Sequence, residues 1–221
     1  MTGSAVIAVA EAADRERIVE TLVAAFVADP VLRFVFPGDV DYSRQAGIFF
    51  GHLFDKRVGR GAVWVADGGM ATAIWEPPSV DKAGGPEPET GGLKVAAGDL
   101  KAEGSYLKAE AAGSEAGSAG SGLEGLAGDA RERLRRYDDA VHAAFPERPY
   151  WYLGVLGTHP AAAGRRLGRT VMAEGLRRAA ADGLPAYLET SRPGNVDLYR
   201  GAGWEVVAEV SDPLPIWIMQ H

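Results

Sequence analysis

The chain of 221 residues contains no cysteine. This absence excludes disulfide bonds, a catalytic thiol and any metal site built on thiolates. The four histidines are scattered through the sequence without the spacing of metal ligands, so we expect no bound metal.

Long apolar runs are also missing. No stretch approaches the roughly 20 apolar residues that cross a bilayer, and the N-terminus lacks the basic and apolar regions of a secretory signal. The net charge of −7 does not favour a broad nucleic-acid surface. We therefore predict a cytoplasmic protein with no membrane partner and no broad nucleic-acid surface. Its hydrophobic content of 47% is ample for a packed core.

Before residue 150, the pattern predicts mainly supporting elements around one apolar loop. These are a strand at 5–10, a helix at 13–29 that Pro30 ends, an apolar cluster at 31–37, a helix at 43–58, a hairpin with strands at 62–66 and 70–75, and a helix at 129–145. The cluster at 31–37 either caps the core or walls a binding pocket.

Residues 79–127 differ in composition from the rest of the chain. They are rich in Gly, Ala, Ser and Glu, which predicts an insert that cannot pack alone. The insert is either partly disordered or a lid over a binding site. We expect the whole chain, 1–221, to form one domain that carries this insert.

The strongest pattern lies between Trp151 and Glu205. It predicts a strand at 151–156, a helix at 165–182, a strand at 185–190, a short helix at 193–200 and a strand at 204–210. The first N–H groups of a helix are unpaired, and its N-terminus is electropositive, so the start of the 165–182 helix can bind an anion such as phosphate. Arginines at 165, 166 and 169 add positive charge there. An ordinary strand–turn–helix connection with a solvated basic turn fits the same residues.

Two motifs in this segment resemble those of the GNAT superfamily of N-acetyltransferases. The first is Thr158-His159-Pro160 followed by Ala163, Arg166 and Gly168; the second is Leu188-Glu189-Thr190 followed by Asn195, Tyr199 and Gly201-Ala202-Gly203-Trp204. Within the superfamily the chain is most similar to the puromycin N-acetyltransferase type, with further matching segments at 24–26, 63–67 and 73–75. The likeness covers nearly the whole chain except the insert.

The resemblance implies an α/β (α+β) fold with a mixed, strongly bent central sheet and helices on both faces. The strands ending at Thr158 and Thr190 would be parallel and splay apart, with the pantetheine of acetyl-CoA between them. The residues implied to bind this acyl donor are Val155, Leu156, Gly157, Thr158, Ala163, Gly164, Arg165, Arg166, Leu167, Gly168, Arg169, Thr170 and Asn195.

The implied reaction moves an acetyl group from acetyl-CoA to a primary amine of a small molecule. A phenol can protonate the leaving thiolate, and we assign that role to Tyr199. Glu189 is the candidate that deprotonates the amine, directly or through water, although it could equally be a structural carboxylate. A backbone N–H at Leu156 or Gly157 would bind the thioester oxygen. Phe34 and Trp75 are the candidate acceptor-binding residues.

Two departures from the family pattern keep other functions open. Ala163 stands where the family has glutamine, and Arg166 stands at the first motif glycine. They motivate an alternative acyl donor: another acyl-CoA, an acyl carrier protein or an aminoacyl-tRNA. A second alternative is a non-catalytic CoA-binding protein, which the presence of Asn195 and Tyr199 disfavours. The sequence leaves the acceptor and the oligomeric state open.

Overall fold

The structure, a computed structural model, describes residues 5–78 and 123–221. Its helices are α1 (Arg15–Ala25), α2 (Pro30–Val35), α3 (Asp39–Val58), α4 (Gly128–His142), α5 (Leu167–Ala181) and α6 (Pro193–Arg200). Its strands are β1 (Ile7–Val9), β2 (Val63–Ala66), β3 (Ala71–Glu76), β4 (Trp151–Thr158), β5 (Ala186–Thr190), β6 (Glu205–Val210) and β7 (Ile216–Gln220). Most of the predicted insert, residues 79–122, lies outside the described residues. The lid and disorder hypotheses concern these residues and stay predictions.

The strands form one mixed sheet in the order β1-β2-β3-β4-β5-β7-β6. β4 and β5 are parallel, and the other neighbours are antiparallel. This confirms the predicted mixed sheet and the parallel pair joined by α5. Strand β7 was not predicted, although the apolar run at 216–219 is typical of a strand. It enters the sheet between β5 and β6.

Helices cover both faces of the sheet, as the strand β2 illustrates. Val63 and Val65 belong to a core cluster with residues of α1, α2, α3 and α4. Trp64 and Ala66 belong to a second cluster with residues of α5 and α6. Because side chains alternate along a strand, this short segment contributes to both cores. The two layers explain why every residue of β2 is buried.

The chain between α1 and α3 differs from the predicted loop because Pro30 begins a helix as well as ending one. Asp29 accepts hydrogen bonds from the N–H groups of Val31 and Leu32 at 3.0 and 3.1 Å. Proline is favoured at the first position of a helix, because its fixed φ suits the helix and no N–H is lost. In the sequence, the Asp29-Pro30 pair is the signal from which the start of α2 could have been predicted.

The C-terminal end of the predicted insert belongs to the core. Leu123 is 1% exposed and Leu126 is 3% exposed, and both lie in the cluster formed by α1, α2, α3 and α4. A Cβ added to Gly125 would lie 3.1 Å from Ile48 of α3, which shows how closely this segment packs. The boundary of the insert at 127 is therefore corrected: packed structure resumes by Leu123.

No helix within the described ranges is long and apolar enough to span a membrane.

Candidate active site

A cleft opens where the parallel strands β4 and β5 separate. Their register includes only two pairs, Trp151 with Ala186 and Tyr152 with Tyr187. Both strands continue beyond these pairs, β4 to Thr158 and β5 to Thr190. The predicted splay is thus present.

A bulge in β4 accompanies the separation. Ile74 of β3 pairs with Val155, whereas its neighbour Trp75 pairs with Leu153, so Gly154 is an extra residue on β4. An extra residue bends the strand and increases its local twist. The bulge lies two residues after Tyr152, the last residue of β4 that pairs with β5.

The cleft has a volume of about 590 Å³. β4, the turn after it, α5 and α6 all contribute to its walls. The lining residues are Leu156, Thr158, Ala162, Ala163, Gly164, Arg166, Leu167, Gly168, Arg169, Met172, Asn195, Asp197, Leu198, Tyr199 and Gly201. Nine of the predicted donor-site residues and Tyr199 are therefore brought together.

The hydrogen-bond pattern of β4 decides which backbone groups face the cleft. His159 donates its N–H to the carbonyl of Met70 at 2.8 Å. Because hydrogen-bonded and non-hydrogen-bonded pairs alternate in an antiparallel ladder, Gly157 is bonded to Thr72 of β3. The N–H and C=O of Leu156 point the other way, into the cleft. Of the two candidates for the thioester oxygen, the ladder thus favours Leu156.

The N-terminus of α5 presents unpaired N–H groups to the same cleft. Arg166, the residue before the helix, makes no side-chain capping bond. Gly168 allows close packing there, because a Cβ at this position would lie 3.1 Å from Oγ1 of Thr158. The preceding turn requires left-handed backbone angles, with φ of 78° at Gly164 and 60° at Arg166. The family glycine thus corresponds to a position where glycine is conformationally favoured.

The three arginines near this helix start have different roles. Arg165 forms an ion pair with Asp67 of the β2–β3 turn at 2.6 Å, and it does not line the cleft. Arg169 donates to the carbonyl of Gly201, which ties α5 to the end of α6. The exposed Arg166 lines the cleft.

Three other predicted donor-site residues lie outside the cleft. Val155 is buried in the core on the opposite face of the sheet. Gly157 faces the same way, since a Cβ there would lie 2.6 Å from Leu22 of α1. Thr170 donates its hydroxyl to the carbonyl of Arg166 at 3.1 Å, within the helix start.

Helix α6 places Asn195 and Tyr199 on the cleft wall. The Asn195 amide donates to Oγ1 of Thr190 at 3.3 Å, which fixes the start of α6 against β5. Tyr199 is 8% exposed and packs edge-on against Trp204, with ring centroids 6.0 Å apart. Burial raises the pKa of Tyr199, and the charges of Glu189 and Asp29 raise it further. The phenol therefore keeps its proton throughout the neutral range.

Glu189 lies in a cluster of tyrosines where β4 and β5 part. Its Oε1 accepts hydrogen bonds from Tyr152 at 2.7 Å and from Tyr137 at 3.1 Å. Tyr137 belongs to α4, which follows the insert. Sequence reasoning missed both tyrosines because neither lies in a motif. The one available signal is spacing: Tyr152 and Gly154 are two residues apart on β4, and side chains two apart on a strand share a face of the sheet.

The two predicted acceptor residues occupy different environments. Trp75 is 0% exposed, and a Cβ at Gly175 of α5 would lie 2.1 Å from its indole. We therefore assign Trp75 to the core beneath α5 and not to the acceptor site. Phe34 is partly buried on α2 and packs against two core clusters, so its contact with an acceptor stays a prediction. Within 5–78 and 123–221, no group of three or more Asp, Glu or His residues is arranged to hold a metal.

Comparisons with known proteins agree with this architecture. The model of the acetyltransferase (GNAT) family matches residues 102–204. A structure from Corynebacterium glutamicum, described as histone acetyltransferase HPA2 and related acetyltransferase, is 21% identical, with a TM-score of 0.59 and coverage of 98% of this chain and 95% of its own. Drosophila melanogaster polyamine N-acetyltransferase is 14% identical, with a TM-score of 0.59 and coverage of 99% of each chain. The PaiA N-acetyltransferase of Thermoplasma acidophilum, solved with coenzyme A, is 10% identical, with a TM-score of 0.53 and coverage of 98% of each chain.

The splayed parallel strands, the cleft between them and the helix start facing it define a GNAT fold. The family match lies over the segment that builds this cleft. The chain thus has the GNAT fold, and the family match over residues 102–204 supports an acetyltransferase.

Proposed function

We propose that the protein transfers an acetyl group from acetyl-CoA to a primary amine of a small molecule. The observation that carries this proposal is the convergence of Leu156, Asn195 and Tyr199 on one cleft beside the start of α5. Glu189 lies near enough for its charge to raise the pKa of Tyr199. A carboxylate and a phenol thus stand close to one reaction centre.

The cleft residues fit an acyl-CoA. Unpaired N–H groups at the start of α5 suit the pyrophosphate, and the exposed Arg166 adds charge beside them. The backbone groups of Leu156 and Thr158 that face the cleft have no partner on β5, because β5 has separated from β4 there. They can pair instead with the amide groups of pantetheine. Acetyl-CoA supplies the thioester when bound. The fit of acetyl-CoA to this cleft thus depends mainly on backbone groups.

Proton transfers assign the remaining roles. Glu189 accepts the proton that the acceptor ammonium must lose before its nitrogen attacks the acetyl carbon. Its bonds from Tyr137 and Tyr152 hold the carboxylate in place. As the C–S bond breaks, Tyr199 donates a proton to the leaving sulfur, and the second proton released by the acylated nitrogen restores the phenol. The N–H of Leu156 stabilises negative charge on the acetyl oxygen.

Small amines are the acceptor class that the comparisons support. A polyamine N-acetyltransferase is among the similar structures, and the carboxylate of Glu189 suits an ammonium group. The resemblance to puromycin N-acetyltransferases makes puromycin one acceptor to assay. This proposal also includes a cytoplasmic location, one domain over the whole chain, no membrane partner and no broad nucleic-acid surface.

Arg166 favours one second candidate, transfer from a different acyl donor. Its side chain is exposed at the cleft and its backbone is left-handed, which is costly for a residue other than glycine. A donor with extra negative charge near the pyrophosphate position would explain that cost. Acyl carrier proteins, which have an acidic surface, have this property.

Calorimetry with acetyl-CoA tests the donor, and acetylation of an amine panel tests the reaction. We expect acetyl-CoA to bind and Gly168→Leu to abolish binding, because its side chain would collide with Thr158 and Leu156. Val40→Leu, at a residue that is 98% exposed, is the matched control and should bind normally. Absence of acetyl-CoA binding in the wild type would refute the standard donor. Binding without amine acetylation would favour the non-catalytic alternative.

A further inference from the structure

A second, smaller cavity lies on the opposite side of β4 from the donor cleft. Its volume is about 30 Å³. Its walls come from α1, α2, α3, α4 and β4, and they are almost wholly apolar. The lining residues are Phe26, Val31, Leu32, Val35, Phe36, Phe49, Phe50, Leu134, Tyr137, Gly154 and Val155.

Three residues of the cavity wall are partly exposed. Most lining residues are buried, whereas Phe26, Val31 and Gly154 keep part of their surface. Gly154 is the bulge residue that follows the last β4–β5 pair. Gly154 therefore brings one part of the cavity wall beside the point where the two strands separate.

Tyr137 connects this cavity to the candidate base. Its ring lines the cavity, and its hydroxyl donates to Oε1 of Glu189 at 3.1 Å. The hydroxyl of Tyr137 thus contacts a carboxylate that can bind an ammonium group, and the rest of the same side chain borders an apolar recess. An acceptor that uses both must carry its amine and an apolar group a few bonds apart.

We propose that this cavity receives the apolar group of the acceptor, and that the acceptor class is small primary amines with a compact, branched aliphatic group. The inference rests on the proposed amine acetylation and adds the specificity of the same site. A volume of about 30 Å³ holds about two water-sized groups, which suits the two methyls of an isobutyl or isopentyl chain. A phenyl ring is too large for it.

The same cavity selects against polycations. A second ammonium placed among these walls would lose its hydration and find no carboxylate on the cavity wall, because the lining residues are apolar apart from one phenol. Diamines and polyamines must then leave the cavity empty. We expect them to be poorer acceptors than a branched aliphatic amine of similar length.

Acetyl transfer to 3-methylbutylamine, 1,4-diaminobutane and 2-phenylethylamine tests this specificity. For the wild type we expect kcat/KM for 3-methylbutylamine to exceed that for each of the other two by about 10- to 200-fold, the usual range for apolar pocket discrimination. Equal values, or a preference for the diamine, would overturn the inference and leave amine acetylation intact.

Two variants change the size of the cavity. Leu134→Ala enlarges it and should raise kcat/KM for 2-phenylethylamine relative to 3-methylbutylamine by about tenfold or more. Val31→Phe fills it from the partly exposed side and should remove the preference for the branched amine. Val171→Ala, a fully buried residue of α5 in the other core, is the control for general loss of packing. If Leu134→Ala and Val31→Phe both keep the wild-type order of amines, the cavity does not select the acceptor.

Calorimetry in the presence of CoA separates the inference from the proposed function. If no amine is acetylated but 3-methylbutylamine binds and Val31→Phe abolishes that binding, the cavity assignment stands and amine acetylation is wrong. If amines are acetylated but Val31→Phe binds 3-methylbutylamine normally, the cavity assignment is wrong. An amine that neither binds nor reacts in any variant also overturns it.

Discussion

The hydroxyl of Tyr152 lies 2.7 Å from Oε1 of Glu189 and donates a hydrogen bond to it. Tyr152 belongs to the last residue pair that joins β4 to β5, and Glu189 lies two residues farther along β5. The bond thus links the two strands by side chains just where their backbones part. It holds a carboxylate at the point where the two strands separate.

From this bond we expect graded losses of activity. Glu189→Gln removes the proton acceptor and should lower kcat by about 10²–10⁴. Tyr152→Phe keeps the ring but releases one side of the carboxylate, so a smaller fall of about tenfold is expected, with acetyl-CoA affinity unchanged. Steady-state kinetics with calorimetry measures both. Tyr42→Phe, in α3, is the matched control. Normal kcat in Glu189→Gln would make Glu189 a structural carboxylate.

Tyr199→Phe should lower kcat by about 10²–10⁴ while folding and acetyl-CoA affinity stay nearly intact. The substitution deletes the proton that we propose for the leaving sulfur and keeps the contact with Trp204. Because the pKa of Tyr199 is raised, wild-type kcat should show no loss from its ionisation between pH 7 and pH 10. If Tyr199→Phe retains full kcat, the residue only packs α6 on the sheet.

Arg166→Gly should stabilise the protein or leave it unchanged, because φ of 60° is strained for arginine and relaxed for glycine. The gain of about 1–2 kcal/mol is partly offset by the entropy of glycine in the unfolded chain, about 0.5–1 kcal/mol. Urea unfolding measures this. Arg165→Gly is the control, since its φ is negative, and it should destabilise.

The same site gives a test of the donor. Combining Arg166→Gly with Ala163→Gln restores the family turn and should tighten acetyl-CoA binding by about one hydrogen bond, ~1 kcal/mol. Weaker binding, or lost activity, would show that the arginine is adapted to another donor. Calorimetry with acetyl-CoA decides between these outcomes.

Leu123→Ala should destabilise the protein by about 2–5 kcal/mol, the usual cost of a buried leucine. Leu123 is 1% exposed beneath α3, at the end of the segment predicted as an insert. Val40→Ala, at an exposed position, should change stability by less than about 0.5 kcal/mol in the same urea titration. An equally small effect of Leu123→Ala would show that this segment contributes nothing to the core.

Stability should fall above pH 10 because buried tyrosines resist ionisation. Burial raises the pKa of Tyr42 from 10.0 to about 12, and it also raises the pKa values of Tyr150 and Tyr199. Between pH 10 and 12 the unfolded chain has lost protons that the folded chain keeps, so the free energy of unfolding decreases as pH rises. Tyr42→Phe should make this decrease shallower over that interval. Identical pH slopes in the two proteins would contradict the assignment.

The sequence determined the local elements of the donor site and their order. Apolar runs, glycine and proline predicted strands β4 and β5, helix α5 and helix α6, because such patterns act over a few residues. They also placed Asn195 and Tyr199 on one helix after β5. The sequence patterns do not predict strand β7. They also predict a loop in place of α2, because Pro30 ends one helix and begins another.

Tertiary structure decided which side chains meet. Tyr137 and Tyr152 lie 52 and 37 residues from Glu189 along the chain, and no local pattern joins them. The bulge at Gly154 turns β4 so that Leu156 faces the cleft, and Gly157 is bonded to β3. The same packing put Trp75 beneath α5, away from any acceptor. Such contacts depend on register and on which face of the sheet each helix covers, and these are properties of the folded chain alone.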